Sequence, residues 1–489
     1  MPKTIPDALE AHARLQPDKL CVADRKQALS YGEMLRRIKA VAKYLTDRGV
    51  RKGDIVALRA SQSVEYAAGF YGIQFCGAVV CPIEKTAAAE RTQSVLAQLS
   101  ARFILDLRRY ELPGVSVLDL REAFGYGEAV DAQVPVESGD IADIIFTTGT
   151  TGDSKGILIS YATDLAIAEN VIDSVSMTAD EVEFITSLTS HSLAIRRMNA
   201  AMYIGSSVVL SENYILYQNF WGLIEKYRVT AFTFVPAFLS MILEVYGDKL
   251  GEYNGQLNYI QLGSAPLHES TKEKLIRLLP STRLYNTYGV TESGCTIILE
   301  FSRYRDKKGC IGRTTVNTTL LFANESRDGF VEARDEASAG YMAFRGPMNM
   351  TGYLNAPEKT REVSRNGVIF TNDLGYVGGD GLVYFLGRAG EVINTGGLKV
   401  NPIEVEGVVG DMDGVADCAC VPMKDGRRGE VPKLFVVLEA GSALTEKEIR
   451  AYVRQRLEDY KVPEKVVQID EIPRTFNGKI IRRKLIEME

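Results

Sequence analysis

Residues 143–160 read DIIFTTGTTGDSKGILIS: an apolar run enters four threonines and two glycines, passes Lys155 and Gly156, and turns apolar again. That is a strand, a polar loop and a second strand. A loop of this composition can wrap a polyphosphate, because Gly149 and Gly152 let backbone N–H groups turn toward an anion, the hydroxyls add donors and Lys155 brings a mobile positive charge. It is not the Walker pattern, which needs GxxxxGK followed by Ser or Thr; here Gly149 and Gly152 are three apart and Lys155 precedes Gly156. A glycine-rich surface turn is the competing reading.

Outward from this stretch the chain alternates strand-like and helix-like runs. Upstream are GDIVALRA, SVEYAAGFYGIQFCG and AVVCPI; downstream are SSVVLSE, VTAFTFVP, NYIQLGS and TRLYNTYG, with HESTKEKLIRLL between the last two. The rhythm is that of βαβ units in parallel sheets, whose ligands sit beyond the strand C-termini. From about Gly309 to Phe385 glycine-rich short strands replace helices, and after Arg388 a compact α+β pattern returns. The expected fold is therefore α/β: a large N-terminal domain, 1–387, of parallel βαβ sheets with a small β-rich subdomain, followed by a smaller α+β domain, 388–489.

The charge balance excludes several function classes. Lys and Arg number 57 against 63 Asp and Glu, for a net charge of −6, so no basic footprint for nucleic acid exists. The longest apolar stretch, TAFTFVPAFLSMIL, contains Pro236 and is shorter than the ~20 residues of a membrane span. Prolines and charges interrupt the first twenty residues, so no secretory h-region can be drawn. Seven scattered cysteines without a CxxC pair fit neither a disulfide framework nor a zinc site, and a cytoplasmic protein is expected.

Further chemistry-bearing residues cluster at strand ends. LYNTYGVTES offers Asn286, Thr287, Tyr288, Gly289, Thr291 and Glu292, where a carboxylate near phosphates points to magnesium and a capped turn is the alternative. TNDLGYV offers Asp373, FLGRAGEVINTGGLKV offers Arg388, Gly397 and Lys399, and IPRTFNGKIIRRKL offers Lys479 after an Asn-Gly turn. In this order, with SYGEML, QLGSAPL and GYMAFRGPMNMTGYLNAPEKT, they make the chain resemble, over essentially its whole length, the adenylate-forming superfamily of acyl-CoA synthetases, peptide-synthetase adenylation domains and luciferases.

The resemblance implies ATP, magnesium and CoA, or a carrier protein's phosphopantetheine, as cofactors. It implies that Thr147, Thr148, Gly149, Thr150, Thr151, Gly152 and Lys155 hold the β- and γ-phosphates, that Asn286 and Tyr288 contact adenine, that Thr291 touches the α-phosphate and that Glu292 ligates the metal. Asp373 would accept the ribose hydroxyls and Arg388 assist near the domain junction, while Gly263, Ser264, Ala265, Thr287 and Gly289 line the ligand site. Lys479 would bridge the attacking carboxylate and the α-phosphate. The small domain would then rotate about a hinge near 388–391, bringing Gly397 and Lys399 toward the entering thiol.

Three positions depart from the family pattern: Gly390 replaces the usual hinge Asp or Lys, Tyr341 a glutamate, and Ser264 the second glycine of Gly-Gly-Ala. His191 resembles the histidine beside the acid pocket of acyl- and aryl-CoA ligases, with a core histidine as rival. Ser192 stands where amino-acid-activating members carry an aspartate for the ammonium, which disfavours amino acids. Arg196 and Arg197 are expected on a solvated face, with the reading of an anionic group on the substrate or CoA as alternative; His12 and His268 are assigned to the surface and Trp221 to packing. The expected activity is ATP-dependent acid:CoA ligation by a monomer or homodimer. Loading of a separate acyl carrier protein and a non-catalytic nucleotide-binding role are the alternatives.

Overall fold

The computed structural model describes residues 2–147, 155–212, 217–264, 267, 269–305, 307, 309–396, 398–474 and 480–488. The apolar run before the threonines forms the strand Ile141–Thr147, and Lys155–Ser160 returns antiparallel beside it with Lys155 opposite Thr147. They sit in a seven-stranded sheet whose remaining order is Val79–Ile83, Ile55–Arg59, Phe103–Asp106 and Ser116–Asp119, all parallel, with Gly352–Tyr353 added outside Lys155–Ser160.

A second sheet of fourteen strands carries the other half of the site. Its parallel part runs Leu20–Ala23, Ser207–Leu210, Val182–Ile185, Ala231–Phe234, Tyr259–Leu262 and Arg283–Val290. The hairpin to Gly294–Glu300 then switches it to antiparallel, and Cys310–Thr314, Val383–Arg388 and Val368–Val377 follow. The β-rich region is thus an antiparallel continuation of one sheet. The helix Val64–Phe75 is apolar all round, and every residue but Glu65 is buried, as a helix packed on all sides requires. A third, five-stranded sheet begins at Ile393 and has its own core around Ile393, Val400, Val405, Leu434 and Ile449. Among the described residues no helix is long and apolar enough to cross a membrane.

Arg196 and Arg197 overturn both readings offered for them. They lie on the helix Ser192–Ile204, whose residues 194–202 are all buried, so no solvated face exists there; their side chains are 4% and 1% exposed. Neither is free for a substrate anion. Arg196 forms a fork with Asp143 of the first sheet, at 2.9 and 2.8 Å, and also donates to Asp164. Arg197 forks onto Glu183 of the second sheet, 2.7 Å in each arm, and donates to Tyr259 and Gln261. One helix therefore ties both sheets through adjacent guanidiniums. Trp221 is fully buried as expected, whereas His12 is half-buried and its Nε2 lies 3.0 Å from the carbonyl of Tyr203.

Asp143 and Asp164 share one guanidinium in a dry interior. Burial pushes the Asp164 carboxyl up to about 8, with the neighbouring Asp143 adding to the rise and Arg196 opposing it. Its unfolded value is about 3.9. A carboxyl raised on folding contributes stability that is fully present below the unfolded value and is lost as pH climbs through the folded one. Wild type should lose thermal stability between about pH 4 and pH 8, and Asp164→Asn, which mimics the neutral acid beside Asp143, should show a flatter profile over that range. A variant profile parallel to wild type would contradict the assignment.

Candidate active site

The strand Arg283–Val290 brings LYNTYGV to the middle of the second sheet and leaves Thr291 and Glu292 in the hairpin turn. The turn is tight at Gly289, where an added Cβ would lie 2.0 Å from the Gly294 carbonyl oxygen, so only glycine fits. One residue earlier, the half-buried Tyr288 donates to Asp373 Oδ2 at 2.5 Å, and Arg388 Nε donates to Oδ1 of the same carboxylate at 3.0 Å. Asp373 is 4% exposed. Burial, then the Asp373 charge, pushes the Tyr288 phenol well above its usual range, so it stays a donor. Its ring packs between Phe344 and Phe385, 6.1 and 5.9 Å away. A carboxylate has about four lone-pair sites. Asp373 has thus spent one on each oxygen and keeps acceptor capacity for vicinal hydroxyls.

A second group centres on Glu292. Its Oε1 accepts from the Tyr353 hydroxyl at 2.7 Å, and its carbonyl accepts from the Met350 N–H at 2.8 Å. Lys155 places its Nζ 5.0 Å from the Tyr353 ring centroid. Tyr353 therefore joins the expected phosphate lysine to the expected metal ligand, a role sequence reasoning missed; the signal was its place in the quoted GYMAFRGPMNMTGYLNAPEKT run. Among the described residues no cluster of three or more metal-ligating side chains exists. A lone carboxylate with one oxygen engaged fits a magnesium ion, which keeps waters and takes phosphate oxygens, and does not fit an all-protein cage.

The side expected to face the acid is held by different contacts. His191 caps the helix Ser192–Ile204 with extended backbone and is half-buried. The segment before it is fixed to the start of the helix Val64–Phe75: Gln62 donates to Ser187 O and accepts from Thr189 N, and Tyr66 donates to Thr189 O. At the end of Tyr259–Leu262, a Cβ on Gly263 would meet Leu193 at 3.7 Å and Thr287 at 3.9 Å, so these three converge. Ser264 beside them is exposed and has φ +76°, a left-handed conformation that costs a non-glycine residue energy and concentrates at functional sites.

Thr287, Tyr288, Asp373, Arg388, Gly263 and Ser264 are thus linked by contact or chain, as are Glu292 and Lys155, with Asn286, Gly289 and Thr291 on the connecting strand and turn. Lys399 belongs to the third sheet, paired with Asn394, and among the described residues forms no hydrogen bond or ion pair with them. Thr148, Gly149, Thr150, Thr151, Gly152, Ala265, His268, Gly397 and Lys479 lie outside the described residues, as does the Thr147 side chain.

Polar side chains gathered at the end of a parallel strand between two α/β sheets lie where ligands bind in such folds. The chain belongs to the AMP-binding enzyme family: the family model matches residues 9–354, and the AMP-binding enzyme C-terminal domain model matches 404–479. It is 27% identical to 4-coumarate-CoA ligase 1 of Narcissus pseudonarcissus, over 98% of this chain and 94% of that one. It is 26% identical to 2-succinylbenzoate–CoA ligase of Bacillus cereus, over 100% and 99%. In fold it is similar to ATP-bound MatB from Rhodopseudomonas palustris, with TM-score 0.85 and 24% identity over 100% and 99% of the two chains. It is also similar to o-succinylbenzoate CoA synthetase from Bacillus subtilis in complex with its acyl-adenylate intermediate, with TM-score 0.85 and 22% identity over 98% and 97%.

Because the Gly289 position admits no Cβ, Gly289→Ala should shift the hairpin that carries Tyr288 and Glu292, destabilising by about 1–3 kcal/mol. Chemical denaturation checks this, and unchanged stability would contradict the stated close approach.

Proposed function

We propose that this chain activates a carboxylic acid with ATP, forming an acyl-adenylate and pyrophosphate, and then transfers the acyl group to the CoA thiol with release of AMP. The observation that carries this is the pairing of two cradles on one strand and its turn: Tyr288–Asp373–Arg388, suited to a ribose, and Glu292–Tyr353–Lys155, suited to charged phosphate. The family membership supports the adenylate, and the curated relatives, named as CoA ligases along nearly their full lengths, support CoA as acceptor. Seven free, buried cysteines agree with a reducing cytoplasm.

The roles follow from charge. Thr147, Thr148, Gly149, Thr150, Thr151, Gly152 and Lys155 cradle the β- and γ-phosphates, and Glu292 would hold magnesium, which neutralises phosphate charge when bound. Asn286 and Tyr288 face adenine, Asp373 accepts from the ribose hydroxyls, and Thr291 donates to the α-phosphate. His191, Gly263, Ser264, Ala265 and Leu193 border the acid. An attacking carboxylate and a phosphate repel, so Lys479 stabilises the charge between them as a mobile point charge.

The domain carrying Lys479, residues 388–489, rotates on the large domain, 1–387, between the two steps. Arg388 is tied to Asp373, and Glu391 accepts from Arg482 at 3.1 Å. The Ala389 N–H also donates to the Asn372 carbonyl at 2.7 Å, so the freedom between these ties falls on Gly390, whose φ of +90° glycine adopts without strain. Rotation then brings Gly397 and Lys399 to the pantetheine path.

A panel of fatty, aromatic, dicarboxylic and amino acids, each with and without CoA, tests the reading by acid-dependent pyrophosphate release. CoA-accelerated release with AMP and acyl-CoA as products is expected. Release that ignores CoA would move the acceptor to a carrier protein, and no release with any acid would sink the proposal. Lys479→Ala should slow adenylate formation at least a hundredfold more than thioester formation from supplied adenylate, the scale of a lost transition-state charge contact; equal losses in both steps would contradict its assignment.

A further inference from the structure

The Arg197 guanidinium has donors only, so every atom facing it must accept. Its Nε and Nη2 hold Glu183 at 2.7 Å each, Nη2 also holds the Tyr259 hydroxyl at 2.7 Å, and Nη1 donates to Gln261 at 2.5 Å. The Gln261 atom toward Arg197 is therefore the amide oxygen, and chemistry alone fixes the orientation of that amide. Its NH2 must then face the other way, where it donates to Thr287 Oγ1. Glu183 is itself pinned by Thr233, whose hydroxyl donates to it at 2.5 Å, and Glu183, Arg197 and Gln261 are all buried.

The relay has a direction, and it ends in the site. Thr287 Oγ1 is occupied as an acceptor by Gln261, and among the described residues its hydroxyl donates no hydrogen bond. Its proton is left for a ligand. Thr287 is half-buried, lies between Asn286 and Tyr288, and its Cβ converges with Gly263 and Leu193 on the acid side. It stands where the acid and the nucleotide must meet.

We propose that Arg197 and Gln261 are positioning residues that force the Thr287 hydroxyl to donate toward an oxyanion in the site, the acid's carboxylate or a phosphoryl oxygen of the adenylate. This rests on the acid-activating function proposed above. A hydroxyl preset as a donor stabilises developing negative charge without reorganising, which is what a donor at such a junction needs. Without Arg197 the glutamine amide could present either end, and with its oxygen toward Thr287 it would take the hydroxyl's proton from the site.

Gln261→Glu tests the relay with almost no change of shape. The new carboxylate still accepts from Arg197 but cannot donate, so the Thr287 hydroxyl turns toward it. Thr287→Val removes the donor outright. Each should lower kcat/KM in acid-dependent pyrophosphate exchange roughly ten- to a hundredfold, the size of one hydrogen bond to a charged group. A rise in KM for the acid assigns the donor to the carboxylate; a fall in kcat with weaker AMP binding by calorimetry assigns it to the phosphoryl group. The double variant should be no worse than the poorer single one, because both remove the same bond. Losses that multiply in the double variant, or full activity in both singles, would overturn the relay.

Thermal melting separates this from mere destabilisation, since both singles should stay within about 5 °C of wild type. If Gln261→Glu does not fold, Thr287→Val carries the test: a loss of the stated size upholds the donor, and full activity overturns it. If wild type releases no pyrophosphate with any acid, the functional reading fails by itself, and AMP calorimetry decides the relay: weaker binding in both variants upholds it, and unchanged binding overturns it.

Discussion

Adjacent buried arginines on one helix hold the seven- and fourteen-stranded sheets at a set spacing. Guanidinium groups in a dry interior are tolerable only when opposite charge sits against them, and removing one partner of such a pair costs about 3–5 kcal/mol because a bare charge remains. Arg196 reaches Asp143, four residues before Thr147 on the strand that enters the phosphate loop; Arg197 reaches Glu183 and Gln261 in the sheet that carries Tyr288. The same helix begins at Ser192, directly after His191 and the acid-side segment. The sides proposed for phosphate, nucleotide and acid are thereby referred to one rigid element. Fork-shaped pairs suit this use, since they fix direction as well as distance.

The site proper applies a related economy of acceptors. Asp373 meets Tyr288 and Arg388 with one bond to each oxygen, and Glu292 meets Tyr353 with one oxygen. Each carboxylate is held in direction without exhausting its lone pairs. In the proposed reading that remaining capacity serves ribose hydroxyls and a cation, so binding needs little rearrangement of these side chains.

Much of this architecture is legible in the amino-acid sequence. The βαβ rhythm marks the parallel part of both sheets, because period-two and helical patterning report burial directly. The polar clusters at 147–156 and 286–292 stand out because hydroxyls, glycines and charges interrupt apolar strands. The arginines mislead for a physical reason: sequence displays a charge but not its partner. Asp164 and Asp143 lie 32 and 53 residues from Arg196, and Gln261 lies 64 from Arg197. Nothing in the sequence pairs Asp143 or Glu183 with a guanidinium until the fold sets them together. Tyr353 is hidden likewise, since its bond to Glu292 spans 61 residues.

Adenylate formation requires that a carboxylate oxygen of the acid attack the α-phosphorus of ATP. Once the acid is identified, the most direct measurement uses that acid isotopically labelled in its carboxylate oxygens and follows the label by mass spectrometry through one complete turnover. If the adenylate forms, the recovered AMP carries one labelled oxygen and the acyl-CoA keeps the other. Label in inorganic phosphate, or AMP without label, would mean that another phosphoryl group is attacked, and would contradict the account.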